Sequence, residues 1–247
     1  MRKMRCAPSG ENPGGAFHFS KNNFLERTIY MNNTTNPSPA PTKKTGVYNL
    51  VLAGVLIALG TALSFVKFLN LPWGGSVTLC SMLPVMLFAY RAGTRWGLGA
   101  GFTFSVLQLL FGLDGLKGIS GATIAGSIFL DYLLAFSVLG LAGIFRNRIQ
   151  NDPAAFTLGC LVAMLLRYIS SILSGWLLWA QFMEVNYMQE LVAGFFPGLG
   201  GLTGNSLALI YSICYNGAYM LPEILITCLA AALVMQFAGK FILKKFF

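Results

Sequence analysis

The sequence predicts an all-α integral membrane protein with six transmembrane helices and both termini in the cytoplasm. Three observations lead there. Of 247 residues, 55% are hydrophobic and only 10% are charged, against about 25% charged in an ordinary soluble domain. Only 8 side chains are acidic, too few to solvate a globule of this size. Apolar blocks of span length recur along the chain, and the basic residues collect in alternate connections between them.

Residues 1–45 stand apart as a polar tail rich in Asn, Pro, Ser, Thr and Gly, with the stretch NNTTNPSPAPTKK near its end. Such a composition buries too little apolar surface to fold alone, and the tail is expected to be disordered. It lacks the apolar core of a signal peptide. Met31 offers a second start, and residues 1–30 then read as a start-site artefact. Residues 46–247 are expected to form one membrane domain.

The first block runs from Tyr48 to about Leu69, and the second from Val77 to Tyr90, short and with Pro84 inside. The third covers about Trp96–Leu113, the fourth Ala122–Phe145 and the fifth Ala154–Phe182, long enough to tilt or protrude. The sixth runs from about Ser206 to Ala238, with a kink expected at Pro222.

The net charge is +9. In a soluble protein that excess would point to nucleic acid, but here its distribution is an orientation signal and no nucleic-acid partner is expected. Lys43 and Lys44 precede the first block, Arg91 and Arg95 separate the second and third, Arg146 and Arg148 separate the fourth and fifth, and Lys240, Lys244 and Lys245 follow the sixth. All of these fall on one side of a six-span arrangement, whereas the opposite connections hold only Lys67 and Lys117. The positive-inside rule makes the richer side cytoplasmic. The poorer side carries three glycine-rich segments, LNLPWGGSVT, GLDGLKGISGAT and the stretch from Glu184 to Asn205, which read either as lid segments or as simple turns.

Several chemistries are excluded. The only histidine, His18, lies in the tail, so the membrane body has no Ser-His-Asp triad and no histidine-ligated metal. Cys80, Cys160, Cys214 and Cys228 are scattered through apolar runs, Cys6 lies in the tail, and no CxxC pair exists. No catalytic residue, metal or cofactor is expected. Without a GxxxxGK[ST] motif, any ATP-driven work must come from a partner.

Three ionisable residues interrupt the apolar runs: Asp131, Arg167 and Glu223. Each is costly in hydrocarbon and must face a cavity or a partner, which leaves open a structural ion pair of Arg167 with Asp131 or Glu223. Trp73, Tyr132, Trp176, Trp179, Tyr211, Tyr215, Asn216 and Tyr219 gather toward the same outer half. Taken singly, each aromatic suits an interfacial belt. Together with a carboxylate they suit an organic cation: the ring faces attract it by about 0.5–2 kcal/mol each, the carboxylate neutralises it, and an amide such as Asn216 reads ring nitrogens. On the first helix, Gly54, Ala58 and Ala62 form a small-residue stripe with a spacing of four. It serves either internal packing or the docking of another subunit.

The strings LPWGGSVTLCSMLPVMLFAYRAG, LDYLLAFSVLGLAGIF, RYISSILSGWLLWAQF and SLALIYSICYNGAYMLPEIL resemble the thiamine-specific S-components of energy-coupling-factor (ECF) transporters, the ThiT/YuaJ family. The likeness covers roughly residues 48–240 in the right order. It implies a non-enzymatic substrate-capturing subunit of an ABC-type importer in the bacterial cell membrane. That subunit would bind thiamine or a close analogue and work with an ECF transmembrane coupling protein and two ABC ATPases in the lipid bilayer.

By the same resemblance, Asp131 of LDY faces the thiazolium and Tyr132 follows it. Trp179 stacks on the ligand, Gly175 permits close backbone approach, Tyr211 and Asn216 hold the pyrimidine, and Trp73 is the first-loop aromatic. Gly54, Ala58 and Ala62 match the family's docking face. Where the family has a histidine four residues before the SG glycine, this chain has Ser171. That departure keeps an S-component for another vitamin as an alternative. A stand-alone channel or proton-coupled carrier using Asp131, Arg167 and Glu223 is another.

Overall fold

The structure, a computed structural model, describes residues 43–72, 74–116 and 121–243. The tail up to residue 42, Trp73, Lys117, Lys244 and Lys245 lie outside the described residues.

Helix α1 (Lys43–Ser64) is followed by a hairpin of β1 (Lys67–Asn70) and β2 (Ser76–Thr78), then α2 (Leu83–Ala92) and α3 (Thr94–Gly112). Helix α4 (Gly121–Gly143) and helix α5 (Asp152–Phe182) come next. A short α6 (Val185–Phe195) precedes the 39-residue α7 (Gly204–Ile242).

Among the described residues, four helices are long and apolar enough to cross a membrane: the Gly46–Ser64 part of α1, and α4, α5 and α7. The six expected spans meet two departures. Helix α2 has only 10 residues, about 15 Å at 1.5 Å per residue, or half of a bilayer's hydrocarbon core. Pro84 in its first turn suits a helix start and no earlier turn. Helix α3 has 19 residues, but Arg95 and Gln108 dilute its apolar character.

The hairpin takes the ends expected of the first two spans. Its strands pair antiparallel, with Lys67 opposite Thr78, Leu69 opposite Val77 and Asn70 opposite Ser76. Two glycines, Gly74 at φ 99° and Gly75 at φ 86°, make the turn, a backbone that other residues adopt only under strain. The stretch after Glu184, expected to be a loop, folds as α6, whose Met188 and Val192 pack with Leu207 and Tyr211 of α7. Helix α7 runs unbroken through Pro222.

Helices α4 and α5 are not uniform. Residues Ile128–Leu134 of α4 and Gly175–Trp179 of α5 are π-helical. A π stretch widens the turn and is common at functional sites. Helix α5 starts on a proper cap: the Asn151 side chain accepts from the Ala154 N–H at 3.2 Å.

A core of Val85, Met86, Phe88, Phe104, Leu139, Phe156 and Met164 lies toward the end where Arg146 donates to the Arg91 carbonyl. A second apolar cluster, built around Val192, Leu207 and Tyr211, lies toward the hairpin end.

Candidate ligand-binding site

A cavity of about 380 Å³ opens beside the hairpin, within the size range of small-molecule sites. Of the candidate residues, Asp131, Tyr132, Ser171, Gly175, Trp179, Tyr211 and Asn216 all line it, and only Trp73 lies outside the described residues.

Asp131 sits in the π stretch of α4. Its Oδ2 accepts three hydrogen bonds, from Ser127 Oγ at 2.6 Å, Ser174 Oγ at 2.7 Å and Trp179 Nε1 at 3.0 Å. The two serines come from α4 and α5, and Trp179 closes the π stretch of α5. The other oxygen, Oδ1, receives no hydrogen bond among the described residues. The carboxylate is therefore oriented on one side and left with its second oxygen for an occupant of the cavity.

Arg167 also lines the cavity, but neither ion pair considered from the sequence forms. Its guanidinium lies 4.3 Å from the Phe136 ring centroid and contacts the Met82 sulfur at 2.7 Å through Nη1, and its Nε has no partner among the described residues. Glu223 instead accepts from Thr78, the backbone N–H reaching Oε2 and the hydroxyl reaching Oε1, each at 2.6 Å.

The aromatic residues of the wall come from several elements, with Tyr211, Tyr215 and Tyr219 on α7. The rings of Tyr211 and Tyr215 lie 5.7 Å apart, and Tyr187 of α6 meets Tyr211 edge-on at 6.2 Å. Tyr132 donates to the Gly112 carbonyl at 3.3 Å. Trp176 does not line the cavity and donates to Asn205 Oδ1 at 2.7 Å.

Asn216 lines the cavity and is also engaged within the protein. Its Nδ2 donates to the Ser212 carbonyl at 2.9 Å, with Ser212 Oγ at 3.2 Å and the Ser171 carbonyl at 3.3 Å also in range. Its Oδ1 accepts from Tyr219 at 2.8 Å. The amide ties α7 to α5, and its donor hydrogens are already engaged by protein. Gly175 performs a close approach, but against α7: a Cβ there would collide with Ser212 Oγ and come within 3.1 Å of Asn216 Nδ2.

The sequence reading did not single out Ser127, Ser174, Met82, Gln108 and Phe136, all near or in the wall. Ser127 precedes Asp131 by four residues, one helical turn, and that spacing was the available signal. On α1, Gly54, Ala58 and Ala62 are exposed, flanked by exposed Val51, Val55 and Leu59. The protein's own packing uses Ala53 and Ile57 instead, so internal packing does not explain the stripe. Among the described residues no cluster of His, Cys, Asp or Glu could hold a metal.

The comparisons agree with this architecture. A solved structure of ThiT from Listeria monocytogenes superposes with a TM-score of 0.59 at 19% identity, covering 79% of this chain and 97% of that one. The thiamine transporter ThiT of Bacillus subtilis (strain 168) is 27% identical over 194 residues, 77% of this chain and 92% of its own. The family model described as thiamine transporter protein (Thia_YuaJ) matches residues 50–185, more than half of the sequence. With that match, the chain belongs to the Thia_YuaJ family of thiamine transporter proteins.

Proposed function

We propose that this chain is the substrate-binding S-component of an ECF-type importer and that it captures thiamine from outside the cell. The observation that carries the proposal is Asp131: a carboxylate oriented by three donors on Oδ2, with Oδ1 left for a cation among aromatic rings. The formal charges of Asp131, Arg167 and Glu223 sum to −1, which a monovalent organic cation neutralises. Trp179, tethered to that carboxylate, supplies a ring face for the thiazolium. Membership of a transporter family agrees with a multi-pass protein of the bacterial plasma membrane and with a role other than enzymatic catalysis.

In this reading α1, α2 with the hairpin, α3, α4, α5 and α7 are the six membrane elements, and α6 lies at the outer mouth. Both termini face the cytoplasm, as the basic residues between alternate spans indicate. The exposed stripe of Gly54, Ala58 and Ala62 is the docking face for the transmembrane coupling protein, whose two ABC ATPases supply the energy.

Isothermal calorimetry on the purified protein tests the ligand. Saturable binding of thiamine supports the proposal, and no binding of thiamine, its phosphates or its pyrimidine precursor overturns it. The engaged amide of Asn216 and the serine at 171 favour one second reading, an S-component for a different vitamin. A thermal-shift screen in which thiamine is inert and another vitamin is active would establish that reading. Uptake into vesicles that lack any ATPase would instead favour a stand-alone carrier.

A further inference from the structure

Glu223 is a carboxylate inside a membrane helix that neither ion-pairs nor lines the cavity, yet it is only 1% exposed. Its two oxygens are both spent on one residue, Thr78, at the end of β2. Thr78 Oγ1 is in turn hydrogen-bonded to Ser81 Oγ at 2.7 Å, so the cluster leaves no hydroxyl unsatisfied. A buried carboxylate that, among the described residues, accepts only from a hairpin strand is an expensive way to stabilise a helix. Its arrangement serves the hairpin.

Two further contacts fall in line with it. Tyr215 OH donates to the Gly74 carbonyl at 2.9 Å. Gly75 lies flat on the Tyr219 ring, where a Cβ would come within 2.5 Å of Cε1. Residues 215, 219 and 223 follow each other at steps of four on one face of α7, and each holds a different residue of the hairpin. Gly74, Gly75, Ser76 and Thr78 are at the same time wall residues of the cavity. Whatever fixes Thr78 therefore fixes that wall.

We propose that Glu223 is a positioning residue for ligand retention: through Thr78 it clamps the β1–β2 hairpin onto α7 and keeps the cavity closed over its occupant without touching it. The retention part rests on the ligand reading above; the clamp itself does not. Val77 on β2 is 5% exposed and packs against Tyr219 and Met220 of α7, so a cysteine there is covered while the hairpin is seated and provides a reporter. In the full-length protein, Val77→Cys is modified with a membrane-impermeant maleimide in the absence of ligand, with the chain that keeps Val77 as the blank in each background.

Adding Glu223→Ala is expected to speed modification about tenfold, since two charge-assisted hydrogen bonds are lost. Thr78→Val keeps the N–H bond and is expected to give about threefold. Glu223→Gln is expected to stay within about twofold of the parent, because its amide can accept from the N–H and donate to the hydroxyl. By stopped flow with thiamine, Glu223→Ala is expected to raise the dissociation rate about tenfold and leave association within about twofold.

Parental modification rates in both Glu223→Ala and Thr78→Val overturn the clamp, as does a Glu223→Gln that reacts as fast as Glu223→Ala. If Glu223→Ala does not fold, Thr78→Val decides alone. If thiamine does not bind the parent, the ligand reading falls, while the maleimide rates still decide the clamp.

Discussion

The indole N–H of Trp179 donates to Oδ2 of Asp131 at 3.0 Å, joining the π stretches of α5 and α4 across the cavity. The ring proposed to stack on the ligand and the carboxylate proposed to neutralise it are thus one unit. Asp131→Asn removes the charge and replaces an acceptor of three donors. It is expected to weaken thiamine binding by about 2 kcal/mol, roughly thirtyfold, measured by calorimetry. Unchanged affinity would assign Asp131 to structure alone.

Trp179→Phe keeps a ring and removes the donor, with an expected loss of about 1 kcal/mol in binding. Combined with Asp131→Asn, the two losses are expected to add to less than their sum, because the amide oxygen still accepts from the indole but without the charge, and both changes weaken the same charge-assisted bond. Strict additivity in the double-mutant cycle would separate the two residues.

Gly175→Ala places a methyl group against Ser212 Oγ and Asn216 Nδ2. Overpacking of this kind costs about 1–3 kcal/mol, and a lower melting temperature together with weaker binding is expected. Ser212→Ala removes the atom that is struck first and is expected to restore part of the loss. A Gly175→Ala protein that melts and binds like the parent would show that α5 and α7 can separate freely here.

Ala58→Trp changes an exposed position on α1. Thiamine affinity is expected to stay within about 0.5 kcal/mol of the parent, while uptake by cells carrying the energising subunits falls to background. Full uptake with the tryptophan in place would remove the stripe from the proposed docking face.

Much of this was legible in the sequence because membrane burial is costly. A carboxylate or guanidinium in an apolar run must face something, so Asp131, Arg167 and Glu223 stood out before any coordinates. Their partners did not, since Thr78 lies 145 residues from Glu223 and only folding brings them together. Asn216 was chemically suited to reading a heterocycle, but its donors are engaged by Ser212 and Ser171, a competition that residue type alone does not reveal. The hairpin was hidden because Leu69 and Val77 are as apolar as the spans beside them. Its one signal is the Pro-Trp-Gly-Gly sequence, which suits a loop between two spans equally well. Helix α6 was lost among the turn-forming glycines that follow it.

The two π stretches have a consequence in counting. Each is an α-helical turn with a residue to spare, so losing one residue from Ile128–Leu134 leaves a chain that can still wind as an ordinary helix. The helix on either side would keep its facing, while the wide turn that carries Asp131 and Tyr132 would close up. The site thus depends on arithmetic as well as chemistry: a single-codon deletion that conserves every named side chain would still take away the wide turn on which the carboxylate sits.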